Sequence, residues 1–246
     1  MPELLIEICV DAVDSALAAQ RGGAQRVELC SNLLEGGVTP SAGLIAIVRK
    51  KVTIGLQVMV RPRGGDFCYS DDEFETMRQD ILTAKSLGAD GVVLGLLRAD
   101  NRVDVEKTRQ LIELSHPLDV TFHRAFDLCP DLSTALEDVI STGARRILTS
   151  GGEPSALAGA QSLARLAQAS AGRIAILAGG GINHNNAREV VEKSGVSELH
   201  AGLRSVTPSR AQHGSKNISP AAGMDETQRF IVLQENVEKL VQSLAR

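Results

Sequence analysis

The sequence predicts a single closed (β/α)8 barrel, the TIM-barrel class of α/β fold, over residues 1–246. The chain has 246 residues, of which 43% are hydrophobic, and about 250 residues is typical of this barrel. Short apolar runs alternate with longer amphipathic stretches along the chain. This alternation is typical of parallel strands joined by crossover helices. No low-complexity linker divides the sequence, so we expect one domain.

A junction of one type recurs where predicted helices lead into strands. It occupies residues 22–29, 88–94, 143–148 and 195–200. Each copy begins with glycine, which readily takes the left-handed conformation that ends a helix. We interpret the copies as repeats of one βα unit, of which about eight fit the length. This favours a closed barrel over an open doubly wound sheet.

Eight strands are predicted from short apolar runs. They cover residues 4–10, 26–29, 56–60, 91–94, 120–122, 146–149, 174–178 and 198–201. Helical patterns cover residues 14–21, 73–87, 103–114, 132–142, 155–169, 187–193 and 226–244. The longest irregular segment, residues 204–225, is rich in Ser, Pro and Gly. Because it follows the last strand, we expect it to form a loop over the barrel mouth.

Composition argues against several classes of partner. The net charge is -4, which provides no basic face for nucleic acid or acidic lipid. Aromatic residues make up 2% and Trp is absent, so base-stacking surfaces are not expected. No apolar run approaches the ~18 residues of a membrane span, and the first residues do not resemble a signal peptide. We therefore expect a cytoplasmic protein whose four cysteines remain thiols.

The alternation of side chains along each strand predicts which residues point into the barrel. Residues two apart share a face, and the apolar face must pack on the helices. The inward residues are then Glu7 and Cys9, Arg26, Glu28 and Cys30, Gln57, Met59 and Arg61, Thr121 and His123, and Glu198 and His200. Barrel interiors are usually filled by Val, Ile and Leu, so these polar strand ends predict a site. The alternative is a structural network in which Glu28 pairs with Arg61 and Glu7 with Arg26.

Acid–base chemistry is one use for the convergent polar residues. Glu7 or Glu28 would act as the general base. His123 would act as the acid because the unperturbed pKa of histidine lies near neutrality. His200 is the fourth candidate catalytic residue. The substrate would be a small anionic or phosphorylated metabolite, and the reaction would be of the lyase or isomerase type.

An anion site is predicted from arginines and glycines that follow the strands. The candidates are Arg61 and Arg63 after strand three, Ser150 and Gly151 after strand six, Gly180 and Gly181 after strand seven, and Gly202 and Arg204 after strand eight. Barrels frequently bind phosphate with the loops after strands seven and eight. The simpler interpretation of the 61–70 segment is a solvated turn that ends in a capping box formed by Ser70 and Glu73.

Two kinds of metal site are compatible with the inward residues. Cys9 and Cys30 occupy equivalent positions in neighbouring strands, which lie ~4.8 Å apart. Two thiolates at this spacing suit a soft ion such as Cu(I), although free cysteines are commonly small buried fillers. Glu7, Glu28, His123 and His200 are the candidate ligands for a harder divalent ion.

Several longer motifs resemble the CutC copper homeostasis family. They are Glu-Ile-Cys-Val-Asp at 7–11, Arg-Val-Glu-Leu-Cys at 26–30, Glu-Gly-Gly at 35–37 with Thr-Pro-Ser at 39–41, the 61–70 segment, Thr-Phe-His-Arg-Ala-Phe-Asp at 121–127 and Leu-Thr-Ser-Gly at 148–151. The resemblance extends to about residue 200. It implies a cytoplasmic TIM barrel that forms a homo-oligomer, a dimer or tetramer. It also implies copper handling with Cu(I) bound at Cys9 and Cys30, and it assigns no reaction.

Three functional hypotheses follow. The leading one is a cytosolic copper homeostasis protein that binds Cu(I) as its cofactor or cargo. The alternative is an enzyme acting on a small anionic metabolite, since copper binding alone gives no role to Arg61 or His123. The third is an interaction module with a vestigial site.

Overall fold

Eight parallel strands close into a barrel in the computed structural model, which describes residues 4–208 and 228–245. The strands follow one another around the barrel in chain order, and β1 pairs with β8 to close it. They are β1 Leu5–Val10, β2 Arg26–Leu29, β3 Gly55–Met59, β4 Gly91–Leu94, β5 Asp119–Phe122, β6 Arg146–Thr149, β7 Ala175–Gly179 and β8 Glu198–Ala201. The predicted fold class is confirmed.

Helices connect the strands and cover the outside of the barrel. They are α1 Val13–Arg21, α2 Ala42–Lys51, α3 Asp71–Ser86, α4 Val105–Ser115, α5 Leu132–Thr142, α6 Ala160–Ser170, α7 Ala187–Ser194 and α8 Gln234–Leu244. Short 3-10 turns cover Leu33–Glu35 and Arg124–Leu128. The capping box predicted for α3 is present, because Ser70 Oγ accepts from Glu73 N and the Glu73 carboxylate accepts from Ser70 N.

Helix α2 was not among the predicted helices. Its N-cap, Ser41, accepts a hydrogen bond from Leu44 N, and Ile45 and Val48 are buried. The helix contains Gly43 and a short apolar stripe, so its helical pattern is weak in the sequence alone. Burial against the barrel stabilises it nonetheless.

The predicted irregular segment 204–225 needs correction at its beginning. Arg204–Pro208 forms strand β9, which pairs antiparallel with β10, Gln228–Val232. The last helix therefore begins at Gln234 and not at residue 226. The sequence at 228–232 contains Phe, Ile and Val, which favour a strand, and the helical pattern had been extended wrongly across it. Residues 209–225, the remainder of the predicted loop, lie outside the described residues.

The strand faces follow the predicted alternation. Ile6, Ile8, Val27 and Leu29 are buried in the large core between barrel and helices. The other face of the same strands is polar and interior, and the register places Glu7 beside both Arg26 and His200. The sheet therefore holds charged groups from three neighbouring strands at one level of the interior.

Helix α8 packs on the end of α1 and completes the helical layer. Val237 of α8 is fully buried. A methyl group placed on Gly22 would lie 2.5 Å from Val237 Cβ and 3.0 Å from the Gln234 carbonyl oxygen. Gly22 has φ -76°, which any residue adopts. Glycine is therefore required here for space.

None of the described helices has the length and hydropathy that a membrane span requires.

We predict that Gly22→Ala destabilises the protein by about 1–3 kcal/mol through overpacking against α8. Gly43→Ala is the matched control, because the nearest atom to its added methyl group is Ser41 Oγ at 3.9 Å. That substitution should raise stability by up to about 1 kcal/mol, since alanine favours a helix over glycine. Urea unfolding measures both. Equal effects of the two substitutions would show that α8 does not dock as described.

Candidate functional site

A chain of alternating charges crosses the floor of the barrel. The Arg26 guanidinium contacts the Glu7 carboxylate and lies 2.7 Å from Glu198 Oε2. Arg146 Nε lies 3.3 Å from the same Glu198 oxygen, and its NH2 lies 3.1 Å from Asp119 Oδ2. The Glu7–Arg26 pair expected from the sequence is thus present. Each buried charge in this row of ionic side chains has at least one opposite charge beside it, because an unpaired buried charge is costly.

The second oxygen of Glu7 fixes His200. His200 Nδ1 donates to Glu7 Oε1 across 2.8 Å. Burial alone would raise the pKa of Glu7, but Arg26 and His200 lower it to about 2. Burial would lower the pKa of His200, but Glu28, Cys9 and Glu7 together hold it well above its ordinary value. Glu7 is therefore ionised and His200 is an imidazolium at neutral pH.

Cys9 and Cys30 face each other above this layer. Their Sγ atoms are 4.0 Å apart, and Cys30 Sγ lies 3.4 Å from Glu28 Oε2. The hydrogen bond with Cys30 lowers the pKa of Cys9 to about 5, despite burial and with help from His200. The same hydrogen bond raises the pKa of Cys30, and burial raises that of Glu28. The group thus combines a thiolate, a thiol and a carboxyl group.

The sulfur atoms lie in apolar surroundings. Cys9, Cys30, Met59 and Val93 form a separate buried cluster inside the barrel, and Leu33 packs against it. Apolar neighbours exclude water and strengthen electrostatic interactions at this point.

The described residues contain two groups of side chains that could bind a metal ion. Within each group, the ligand atoms lie within 4.8 Å of one another. One comprises Cys9, Glu28 and Cys30, and the other Glu7, Glu28 and His200. His123 belongs to neither group, so the four-residue site predicted for a harder ion is not assembled. In the second group, both Glu7 oxygens already bind Arg26 and His200. The group with Cys9, Glu28 and Cys30 therefore has more ligand atoms that are free to bind a metal ion.

His123 lies in another part of the site, against Phe67. The two ring centroids are 4.8 Å apart. His123 Nδ1 accepts a hydrogen bond from Ala125 N at 3.2 Å, while Nε2 is buried with no hydrogen-bond partner in the described parts of the chain. Burial, reinforced by Arg61, lowers the pKa of His123 to about 3. The folded ring thus departs from the unperturbed value on which the choice of His123 as the acid was based, and it is neutral at pH 7.

Arg61 does not form the predicted pair with Glu28. Its guanidinium donates to the carbonyl oxygens of Glu35, Gly37 and Gly65 at 2.7–2.9 Å. It also lies over the Phe67 ring, 4.7 Å from the centroid. Carbonyl oxygens of two loops thus replace the carboxylate, and Arg61 holds these loops together at the barrel mouth.

A cleft of about 370 Å³ opens at the carboxyl ends of the strands. Its lining includes nine of the predicted site residues, which are Cys9, Glu28, Arg61, His123, Gly180, Gly181, His200, Gly202 and Arg204. Five others do not line it, namely Glu7, Cys30, Arg63, Ser150 and Gly151. Glu7 and Cys30 lie directly behind lining residues, beside His200 and Cys9.

Arg63 and Ser150 have structural partners in place of a ligand. Arg63 pairs with Glu73 Oε1 at 2.5 Å and with Asp66 Oδ1 at 3.1 Å. The contacts of Arg63 thus match the simpler interpretation of the 61–70 segment, a turn that ends in a capping box. Ser150 Oγ accepts from Arg124 NH2 at 2.8 Å.

Arg124 is a lining residue that the predicted site did not include. Asp127 Oδ2 accepts from its Nε at 2.8 Å, so Asp127 and Ser150 together orient the guanidinium. Asp127 also accepts from the backbone N–H groups of Ser150 and Gly152. The sequence could have indicated Arg124 as a site residue, because it directly follows His123 and precedes the carboxylate of Asp127 by three residues.

The chain resembles known proteins over most of its length. The model of the CutC family matches residues 4–205. The chain belongs to the CutC family. The human copper homeostasis protein cutC homolog is 46% identical over 220 residues, which are 89% of this chain and 81% of the human protein. A CutC family protein of Chromobacterium violaceum is 46% identical over 241 residues, 98% of each chain.

Solved structures agree on the fold. The CutC structure from Streptococcus agalactiae superposes with a TM-score of 0.76 at 34% identity, over 80% of this chain and 97% of that one. Thiamine phosphate pyrophosphorylase from Pyrococcus furiosus gives a TM-score of 0.59 at 17% identity, over 98% and 95%. The second similarity shows only that the two proteins share the barrel.

We predict that Arg26→Met lowers the free energy of unfolding by about 3–5 kcal/mol, because it removes the positive charge shared by the buried carboxylates of Glu7 and Glu198. Arg173→Met is the control, since the Arg173–Glu137 pair is exposed and such pairs contribute about 0–1 kcal/mol. Chemical denaturation of both variants measures the difference. Similar losses in the two variants would mean that the charged floor does not support the barrel.

The low pKa of His123 predicts a pH-dependent stability. Between pH 6.5 and about 3, the unfolded chain binds a proton that folded His123 does not bind, so stability falls as pH falls through this window. At pH 5 this residue should cost about 2 kcal/mol relative to pH 7.5. His123→Gln should show a smaller loss over the same range. Identical pH slopes for the two proteins would show that folded His123 titrates normally.

Proposed function

We propose that this protein acts in copper homeostasis by binding Cu(I) as cargo between the sulfur atoms of Cys9 and Cys30. The observation that carries the proposal is the buried Sγ pair at 4.0 Å. The sequence placed both cysteines at equivalent strand positions, but the register pairs Cys9 of β1 with Glu28. Cys30 directly follows β2, and its N–H donates to Val10 O at 2.9 Å, which fixes its backbone beside β1. The pair is free of disulfide bonding.

The spacing suits a single bridging ion. A metal–thiolate bond is about 2.3 Å long in zinc sites, and two bonds of this length span more than the 4.0 Å between the sulfurs. Both atoms can therefore reach one ion in place. Thiolates and thioethers prefer soft ions such as Cu(I) over hard divalent ions. The Cys9 thiolate offers one such ligand at neutral pH, and the thioether-bearing Met59 packs in the same cluster.

The environment favours Cu(I) over a hard ion. A hard ion takes oxygen ligands, but Glu7 is bound by Arg26 and His200. Glu28 is the remaining carboxyl group beside the sulfurs, and burial raises its pKa. Its neutral form is a poor ligand for a hard ion, because carboxyl ligands bind as carboxylates.

Access to the sulfurs is from the cleft. Cys9 lines the cleft and is 8% exposed, whereas Cys30 is completely buried behind it. An incoming ion would therefore meet Cys9 first and reach Cys30 second. The ion would be handed on by the reverse route, to a partner that offers a competing soft ligand at the cleft mouth.

Relatives support the copper assignment by name. The human and mouse proteins are both named copper homeostasis protein cutC homolog. We further propose a cytosolic location, which suits reduced cysteines, and a homo-oligomer, either a dimer or a tetramer. Val206 of β9 and Phe230 of β10, which are exposed, are candidate contacts between subunits.

Anaerobic titration of the reduced protein with Cu(I), against a chromogenic competitor, tests the proposal. We expect one ion per chain. Cys9→Ser and Cys30→Ser should each weaken affinity by at least about a hundredfold, since even outer-shell changes cost 10- to 100-fold. Cys68→Ser is the matched control and should bind as the wild type does, because Cys68 is exposed and outside the cleft. Equal affinities in the wild type and the two site variants would overturn the proposal.

A further inference from the structure

Copper binding leaves one part of the cleft unexplained. His123 is 4% exposed and lines the cleft, and its Nε2 lacks a hydrogen-bond partner within the described residues. Arg61 Nε, also buried in the cleft wall, lacks one as well. Buried polar atoms are rarely left without partners, because each such atom costs about 1–3 kcal/mol. A bound molecule with oxygen acceptors would provide hydrogen-bond partners for these two nitrogen atoms.

We propose that the cleft binds a small phosphate monoester, whose carbonyl or hydroxyl oxygen accepts a hydrogen bond from His123 Nε2. The phosphate would lie against the glycines after β7 and β8, close to Arg124 and Arg204. This second ligand would use residues other than Cys9 and Cys30.

The hydrogen bonding of His123 determines what it can recognise. Because Nδ1 accepts from Ala125 N, the neutral ring carries its proton on Nε2. Nε2–H is therefore a donor without charge. Such a donor suits a neutral carbonyl or hydroxyl oxygen, and a phosphate dianion is better matched by arginine.

The ring position of His123 depends on Gly95 at the end of β4. A Cβ atom on Gly95 would lie 2.5 Å from His123 Nδ1 and 2.6 Å from Cε1. Any other residue at position 95 would push the ring out of this position. The glycine thus leaves room for the Nδ1–Cε1 edge of a ring that lines the cleft.

The phosphate half of the site uses backbone and arginine. Gly180 and Gly181 have φ of +113° and +70°, a conformation that other residues rarely adopt. Gly202 lines the cleft, and a Cβ placed on it would meet no atom of the described residues within 4 Å. Glycines at these loops let a phosphate approach the main chain, and barrels commonly bind phosphate there.

Charge and size agree with this ligand. The lining contains three arginines against two glutamates, namely Arg61, Arg124, Arg204, Glu28 and Glu35. Asp127 and Ser150 hold Arg124 in place before any ligand binds. The cleft volume of about 370 Å³ is at the small end of the usual range of about 300–1,000 Å³. A three- or four-carbon phosphate fits in this volume.

Calorimetry on the reduced, metal-free full chain tests the site with dihydroxyacetone phosphate, inorganic phosphate, sulfate and dihydroxyacetone. We expect a Kd below about 1 mM for dihydroxyacetone phosphate, weaker binding of inorganic phosphate, and none of dihydroxyacetone. Arg204→Ala should weaken both phosphates at least tenfold. Arg173→Ala, an exposed arginine outside the cleft, is the control and should change neither.

His123→Phe separates the two halves of the site. It should abolish the preference for dihydroxyacetone phosphate over inorganic phosphate and leave the affinity for inorganic phosphate unchanged. Loss of neither preference nor affinity in this variant would overturn the role of His123. Sulfate binding as tightly as either phosphate, or no phosphate binding below about 10 mM, would overturn the site.

A measurement on the wild type covers the case in which His123→Phe fails to fold. Histidine ¹⁵N NMR reports the tautomer and the hydrogen bond of each ring. We expect His123 to be protonated at Nε2, with a shift of that nitrogen and its proton on addition of dihydroxyacetone phosphate. A ring protonated at Nδ1, or an Nε2 signal that does not respond, would refute the assignment.

Discussion

The Glu7 carboxylate is shared between Arg26 and His200, and the rest of the site depends on this shared charge. A carboxylate this deeply buried persists only with partners on both oxygens. Glu28, Cys9 and Glu7 together keep His200 charged. The hydrogen bond with Cys30 is the main cause of the low pKa of Cys9, and the charged His200 ring lowers it further. The buried ion pair at Glu7 thus contributes, through His200, to the thiolate state of Cys9.

The cleft consequently has two regions of different character. One is soft and largely apolar, formed by the two cysteines with Met59. The other offers hydrogen-bond donors and positive charge, from His123 and the arginines of the strand-end loops. Glu28 belongs to both, because it contacts Cys30 and lines the cleft. A metal and an organic anion could occupy these regions separately, and binding of one would alter the electrostatic field at the other.

The sequence predicted the barrel and the inward phase of its strands because side-chain alternation is a local property with a period of two. For the long side chains, the structural alternative gave the right partner for Arg26, which is Glu7, but the wrong one for Arg61. Arg61 shares its phase with Glu28 but binds carbonyl oxygens of two loops, whose positions no strand pattern encodes. The pKa of His123 depends likewise on complete burial beside Arg61. Helix α2 was missed because its local pattern is weak and packing on the barrel stabilises it. Strand β10 was missed because the helical pattern was extended across residues 228–232, whose Phe, Ile and Val favour a strand.

Cu(I) coordination by both sulfurs is the central claim, and X-ray absorption at the copper edge tests it most directly. The reduced protein, loaded with one equivalent of Cu(I), should give a first shell containing two sulfur scatterers. Cys30→Ser, prepared in the same way, should lose one of them. A first shell of nitrogen and oxygen alone in the wild type, or a spectrum that Cys30→Ser leaves unchanged, would contradict the assignment of copper to Cys9 and Cys30.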